Sequence, residues 1–174
     1  MNVVYVELDR CIACLSCVQV CLFQQGGRNT GWSPNIFVHA DMERRRIYAG
    51  TCLQCEPALC MEVCAVDAIK RDPQTGAVLV DREICVGCGM CISACPFGYM
   101  HLEEYFGKAS KCDLCGGNPV CVQMCMAQAL HFGSITSLAE RKRNQSDLRL
   151  GLRAIPVHKG EEKRWAGHWL KTVW

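Results

Sequence analysis

Sixteen cysteines carry most of the chemistry that this chain of 174 residues could perform. They fall into four groups of four, and one group, in the stretch ICVGCGMCISACP, places its thiols within eleven positions. Folding alone does not require this density, whereas thiolates are good ligands for zinc and for iron-sulfur clusters. Groups one to four are Cys11, Cys14, Cys17 and Cys21; Cys52, Cys55, Cys60 and Cys64; Cys85, Cys88, Cys91 and Cys95; and Cys112, Cys115, Cys121 and Cys125.

The spacing within each group favours cubane iron-sulfur clusters over zinc. Zinc sites usually consist of CxxC pairs separated by a dozen or more residues. Here three thiols lie close together in each group, and a fourth follows after a three-residue gap. Group three matches C-x2-C-x2-C-x3-C-P, the bacterial ferredoxin run in which the fourth cysteine binds the other cluster. The pattern therefore predicts four 4Fe-4S clusters, held by groups that exchange their fourth ligands.

Two pairings of the groups are compatible with this exchange. Groups two and three are joined by AIKRDPQTGAVLVD, in which Asp72, Pro73 and Gly76 supply turn chemistry between two β-compatible runs, so a hairpin is predicted. The hairpin favours a nested arrangement, in which groups one and four bracket groups two and three. The sequential alternative, one with two and three with four, stays open. The nested ligand sets are Cys52, Cys55, Cys60 and Cys95; Cys85, Cys88, Cys91 and Cys64; Cys11, Cys14, Cys17 and Cys125; and Cys112, Cys115, Cys121 and Cys21.

Repeated segments predict the elements that position these thiols. An apolar run followed by Asp-Arg precedes groups one and three, as VYVELDRC and VLVDREIC. Short helices are predicted to follow the third cysteine of each group, and residues 31–50 indicate an inserted strand and loop. The predicted fold is α+β, with two ferredoxin-like dicluster units nested in one domain over residues 1–133.

Residues 134–174 differ from the rest of the chain in charge. They contain nine Lys or Arg and four Asp or Glu, against ten and thirteen in residues 1–133. Ser137 and Glu140 match a capping box, which predicts a helix to about Leu150 in a mostly helical or irregular tail. The basic charge predicts a docking arm for an acidic partner surface.

Other classes of function find little support. The five histidines are scattered, none lies beside a nucleophile arrangement, and no G-x-G-x-x-G motif is present. No helix-turn-helix or aromatic-basic surface indicates nucleic-acid binding. No run of about twenty apolar residues predicts a membrane span. The N-terminal residues lack the features of a signal peptide, so the reducing cytoplasm is the expected compartment.

The motifs together resemble those of a known family. CxxCxxxxCxxxC in group two, CxxCxxCxxxCP in group three and KCDLCGGNPVCVQMC in group four are similar to the motifs of four-cluster iron-sulfur subunits. These subunits serve molybdenum and tungsten pterin oxidoreductases, and related hydrogenases and carbon monoxide dehydrogenases. Over about residues 1–133, the resemblance implies a double ferredoxin-like fold and four 4Fe-4S clusters with nested ligand exchange. It also implies a non-catalytic subunit that relays electrons between a catalytic partner and a flavin subunit, ferredoxin or hydrogenase.

Departures from the family pattern narrow the branch. The gap between Cys115 and Cys121 is only five residues, shorter than in dimethyl sulfoxide or nitrate reductase subunits, and the C-terminal membrane helix of formate dehydrogenase subunits is missing. These features favour the compact members and, among them, a tungsten or molybdenum aldehyde oxidoreductase partner. The alternatives are a relay for a hydrogenase, formate or carbon monoxide dehydrogenase, and an iron-sulfur redox sensor. Whether copies stack into a longer conductor is left open.

Overall fold

Short strands and short helices alternate along the chain. In order they are β1 Asn2–Val6, α1 Ser16–Gln24, β2 Ile36–Asp41, β3 Arg46–Thr51, α2 Leu59–Glu62, β4 Ile69–Arg71, β5 Val78–Val80, α3 Met90–Ala94, β6 His101–Leu102, β7 Ala109–Ser110, α4 Val120–Gln123, β8 Leu130–Ser134 and α5 Ile135–Arg149. The sequence-based prediction of an α+β, ferredoxin-like fold is confirmed.

This computed structural model describes residues 1–26 and 33–149. The chain divides into two units, Met1–Leu138 and Ala139–Trp174, and the domain boundary predicted after residue 133 stays a prediction. Within the described ranges, no helix combines the length and the apolar character needed to cross a membrane. Most of the predicted docking arm, residues 150–174, lies outside the described residues.

The strands pair as four antiparallel two-stranded sheets, and three of these sheets are hairpins. The fourth sheet joins the two ends of the first unit, because β1 pairs with β8 in a register that sets Val4 opposite Phe132. Sheets this small are marginally stable by themselves. They therefore depend on packing between the sheets, the helices and the cysteine-bearing loops.

The hairpin predicted between groups two and three is confirmed as β4 and β5. Asp72 organises its turn, because the carboxylate accepts hydrogen bonds from the backbone N–H of Gln74 at 3.3 Å and of Thr75 at 3.0 Å. Gly76 takes the left-handed conformation, with φ +73°, and its N–H donates to the Asp72 carbonyl at 2.9 Å. The turn residues seen in the sequence therefore play the roles predicted for them.

Each of the four cysteine groups carries the predicted short helix, but the helix contains the third cysteine instead of following it. The helices begin one residue before the third cysteine of their group, at Ser16, Leu59, Met90 and Val120. Helix α1 packs against α4, and α2 packs against α3. Group one is thus adjacent to group four, and group two is adjacent to group three.

Cysteines form part of both hydrophobic cores. One core combines Val4, Ile36, Leu114 and Leu130 with Cys21, Cys52, Cys112 and Cys121. The other combines Ile69, Val78, Met100 and Ala109 with Cys85 and Cys91. Neither core is a continuous layer of large aliphatic side chains, so whatever the thiols bind also contributes to the packing.

Two local predictions are corrected by the structure. The insertion predicted as a strand and a loop contains a second strand, β3, which pairs with β2 along its whole length. The helix predicted to open with a cap at Ser137 begins at Ile135 instead. The Ser134 hydroxyl accepts from the Ser137 N–H at 3.1 Å, and the Ser137 hydroxyl donates to the Ser134 carbonyl at 2.8 Å. Ser134 therefore caps the helix, because β8 delivers it directly to the first turn.

Gly87 is expected to be intolerant of any side chain. A Cβ at this position would lie 2.0 Å from the Gly107 carbonyl oxygen, and φ is +72°. Gly89 is the matched control, because its φ is +78° and nothing lies within 4 Å of its Cβ position. We expect Gly89→Ala to cost about 1–2 kcal/mol for the left-handed backbone, and Gly87→Ala to cost about 2–5 kcal/mol because overlap is added. Thermal unfolding of the two variants under anaerobic conditions measures the difference, and equal losses would contradict the close approach.

Candidate metal centres

Cys52, Cys55, Cys60 and Cys95 surround a cavity of about 350 Å³. The first two lie in the loop after β3, Cys60 is in α2, and Cys95 follows the last residue of α3. The backbone N–H of Tyr99 points at the Cys95 sulfur, at 3.4 Å. The cavity therefore joins three thiols of group two to the last thiol of group three.

The second site has the reciprocal composition. Cys85, Cys88 and Cys91 of group three line a smaller cavity together with Cys64 of group two. The backbone N–H of Ala68 donates to the Cys64 sulfur at 3.2 Å. Cys88 is exposed, so this site reaches the surface of the protein.

The third site joins the first and last groups. Cys11, Cys14 and Cys17 line a cavity with Cys125, whose sulfur accepts from the Ala129 N–H at 3.2 Å. Cys14 is exposed, and its hydrogen bonds to Ser16 lower the pKa of its thiol. This site also reaches the surface.

The fourth site is the most deeply buried. Cys21, Cys112 and Cys121 belong to the same hydrophobic core, and Cys115 is close enough to influence the ionisation of Cys21 and Cys121. Burial, with further contributions from neighbouring thiols, raises the pKa of Cys21 to about 11 and that of Cys121 to about 12. The Cys21 sulfur accepts from the Asn35 N–H at 3.3 Å.

The fourth cysteines share a feature that the sequence analysis missed. In groups two, three and four, the sulfur accepts a hydrogen bond from the backbone N–H four residues later, at Ala68, Tyr99 and Ala129. Hydrogen bonds to the ligand sulfurs are among the features that set the potential of an iron-sulfur cluster. The donors are backbone N–H groups, so the residue types at these positions do not reveal them. The one regularity is that each donor lies four residues after the cysteine.

The arrangement fits cubane clusters better than single metal ions. No group of three or more His, Cys, Asp or Glu within residues 1–26 and 33–149 could hold one ion. The four thiols around each cavity instead suit a cluster that offers four separate irons. Burial keeps thiols such as Cys21 and Cys121 protonated unless a cation compensates their charge. A bound 4Fe-4S cluster supplies reversible one-electron chemistry, without formation or cleavage of a bond to substrate.

Three histidines, His39, His101 and His131, lie within the part of the chain that the structure describes. His131 pairs with the buried Glu7 at 3.0 Å, and His101 pairs with the buried Glu103 at 3.3 Å. His39 stacks on Tyr48. These contacts are of the packing or surface type that the sequence analysis expected for them.

Comparison with known proteins identifies the family. The model of the 4Fe-4S dicluster domain matches residues 44–135. The chain belongs to this family. The family's 4Fe-4S chemistry agrees with the sixteen cysteines, whose spacing is consistent with four 4Fe-4S clusters.

Three relatives illustrate the range of this dicluster family. The polyferredoxin-like subunit of an aliphatic sulfonate oxidoreductase from Pyrococcus furiosus is 33% identical over 67% of this chain and 67% of its own length. The thiosulfate reductase electron transfer subunit PhsB from Salmonella typhi is 33% identical over 72% of each chain. The hydrogenase-2 operon protein HybA from Escherichia coli O157:H7 is 34% identical over 69% of this chain but only 41% of its own. The chain is an iron-sulfur electron-transfer subunit of an oxidoreductase and not a catalytic one.

Proposed function

We propose that this dicluster protein passes single electrons through four 4Fe-4S clusters, between a catalytic oxidoreductase subunit and a second redox protein. The proposed ligands are the four sets described above, each made of three cysteines of one group and the fourth of another. The observation that carries the proposal is the convergence of each such set on one place in the fold. One electron enters from a reduced donor and leaves to an oxidised acceptor, so the charge balances at every step.

Contacts between neighbouring sites support a linear order. Cys60 of the first site is close enough to raise the pKa of Cys91 in the second site, in addition to the larger effect of burial. Cys17 of the third site likewise contributes to the raised pKa of Cys121 in the fourth site. The first and fourth sites are joined by Gln54, whose side-chain amide donates to the Cys112 carbonyl at 2.9 Å. The order is therefore the Cys88 site, the Cys52 site, the Cys112 site and the Cys14 site.

The two ends of this order suit exchange with separate partners. Each end has an exposed cysteine, Cys88 or Cys14. Val86 and Met90 are exposed beside the first, and Ile12 and Leu15 beside the second. Apolar side chains at such points exclude water when a partner docks. The two inner sites have no exposed cysteine.

For the catalytic partner we favour a tungsten or molybdenum pterin enzyme that oxidises aldehydes, in the cytoplasm. The compact spacing of group four supports the compact branch of the family, to which subunits serving such enzymes belong. The similarity to the polyferredoxin-like subunit of an aliphatic sulfonate oxidoreductase, over two thirds of both chains, supports an oxidoreductase partner in general. A hydrogenase partner is the second candidate, supported by the similarity to HybA, although that match covers less than half of HybA.

Anaerobic co-purification from the native host tests the partner and the docking arm together. We expect the tagged chain to retain a subunit that contains tungsten or molybdenum, and an aldehyde to reduce its clusters. Retention of a nickel enzyme, with reduction by hydrogen, would overturn the aldehyde oxidoreductase assignment.

Charge reversal of Lys163 and Arg164 in the basic tail should weaken retention about tenfold at low salt and less at high salt. The same reversal at the exposed Lys70 is the control, and equal effects would contradict a docking role.

A further inference from the structure

A buried ammonium group lies between the two inner sites. Lys111 is 4% exposed, although lysine is rarely buried unless its charge has a partner. Its side chain lines the cavity formed by the Cys52 set, and the next residue in the chain is Cys112 of the neighbouring site. The ligand-set proposal above assigns no role to this residue.

The hydrogen bonds of Lys111 match the three donors of an ammonium group. The Nζ atom donates to the carbonyl oxygens of Val78 and, at 2.9 Å, of Cys112, and to the side-chain oxygen of Gln54 at 3.2 Å. All three partners are acceptors. An ammonium has three N–H donors and no acceptor, so it can make all three hydrogen bonds at once, whereas a neutral amine has only two N–H groups and could make only two of them.

The charge of this ammonium is not balanced by a nearby carboxylate. Among the residues that the structure describes, no Asp or Glu oxygen lies within 4.0 Å of Nζ. Its neighbours of opposite sign are the cluster-binding cysteines. The Lys111 side chain lines the same cavity as Cys52, Cys55, Cys60 and Cys95.

Gln54 holds the ammonium in position. This glutamine is fully buried, and its side-chain oxygen accepts from both the Val78 N–H, at 2.8 Å, and Lys111. Its amide nitrogen donates to the Cys112 carbonyl. The network leaves Lys111 little freedom to turn toward water, so its charge acts at short range through protein rather than through solvent.

We propose that Lys111 sets the reduction potential of the cluster held by Cys52, Cys55, Cys60 and Cys95, making this inner site the preferred resting place of an entering electron. The inference rests on the ligand sets of the proposed function. Reduction adds one negative charge to the cluster, and a fixed cation nearby stabilises that charge strongly where water is excluded. The chain thereby holds the electron away from both exposed ends until a partner withdraws it.

Lys108 offers an internal comparison. Its ammonium donates to the Cys85 carbonyl beside the second site, but the side chain is only half-buried. Water screens a charge in that position more than it screens Lys111. The influence of Lys108 on its cluster is therefore smaller.

The test is a potentiometric titration of the full-length holoprotein, followed by electron paramagnetic resonance. Lys111→Met removes the charge and keeps the length of the side chain, while Lys70→Met removes the same charge from an exposed position in β4. We expect Lys111→Met to shift the midpoint potential of one cluster to clearly more negative values, with smaller changes in the other three. Lys70→Met should shift none of them.

A second variant keeps Lys111 in place. Gln54→Glu sets a carboxylate against the ammonium and should also lower the potential of the same cluster. If both variants retain four clusters with wild-type potentials, the proposal is overturned while the proposed relay stands. If neither variant can bind the cluster of the Cys52 set, Lys111 has only a structural role and the proposal is again overturned. A wild-type protein without four titrating clusters would instead contradict the ligand sets themselves.

Discussion

Replacing Cys95 with alanine is expected to damage the cluster bound by Cys52, Cys55 and Cys60, and to spare the cluster bound by the cysteines nearest to it in sequence. The reason is that α3 carries Cys95 to the cavity of the group-two thiols, while Cys64 takes the corresponding place beside Cys85, Cys88 and Cys91. A cubane that loses one thiolate releases an iron readily. The 4Fe-4S signal of one site should therefore be lost or altered, with the other three retained.

Matched replacements identify the affected site without prior assignment of the spectra. Cys95→Ala should give the same resonance spectrum as Cys52→Ala, and Cys64→Ala the same spectrum as Cys85→Ala. If each group instead held its own cluster, Cys95→Ala would match Cys85→Ala. That pattern would contradict the exchange of fourth ligands.

Removal of iron is expected to abolish cooperative folding of the first unit. Cysteines line both cores, several helices have only four or five residues, and two strands have only two. Elements this short gain their stability from packing, and binding of a metal cluster contributes directly to folding in small metalloproteins. Without iron, the cavities between the thiols are not filled.

Circular dichroism before and after anaerobic chelation, in the presence of a thiol reductant, measures this dependence. We expect the thermal transition to disappear and to return when iron and sulfide are restored. The same chelator treatment of a control protein without metal should leave its transition unchanged. A chelated chain that still melts cooperatively near the temperature of the holoprotein would contradict the account.

Much of this architecture could be predicted from the sequence because the determinants are local. The distance from the third to the fourth cysteine sets a short helix in every group, and Asp72 and Gly76 define the hairpin between groups two and three. Both features depend on residues within a few positions of one another. For the same reason, the α+β fold and the family could be inferred from the motifs alone.

The roles of Gln54 and Lys111 were missed because they depend on contacts between distant parts of the chain. Gln54 reaches Cys112, 58 positions away, and Val78, 24 positions away, so nothing near Gln54 in the sequence indicates its role. Lys111 resembles an ordinary surface lysine until β5 and the Cys52 loop enclose it. Strand β3, which begins at Arg46, was missed for a different reason: residues 31–50 were predicted as one strand and a loop, and the second strand is defined by its pairing with β2.

If one chain holds four one-electron centres, the number of electrons that it accepts should show it. Anaerobically purified holoprotein is titrated with a low-potential reductant, and iron is determined on the same sample. We expect uptake of about four electrons and a content of about sixteen irons per chain, one electron and four irons for each cluster. A fully loaded protein that accepted only about two electrons, with about eight irons, would contradict it.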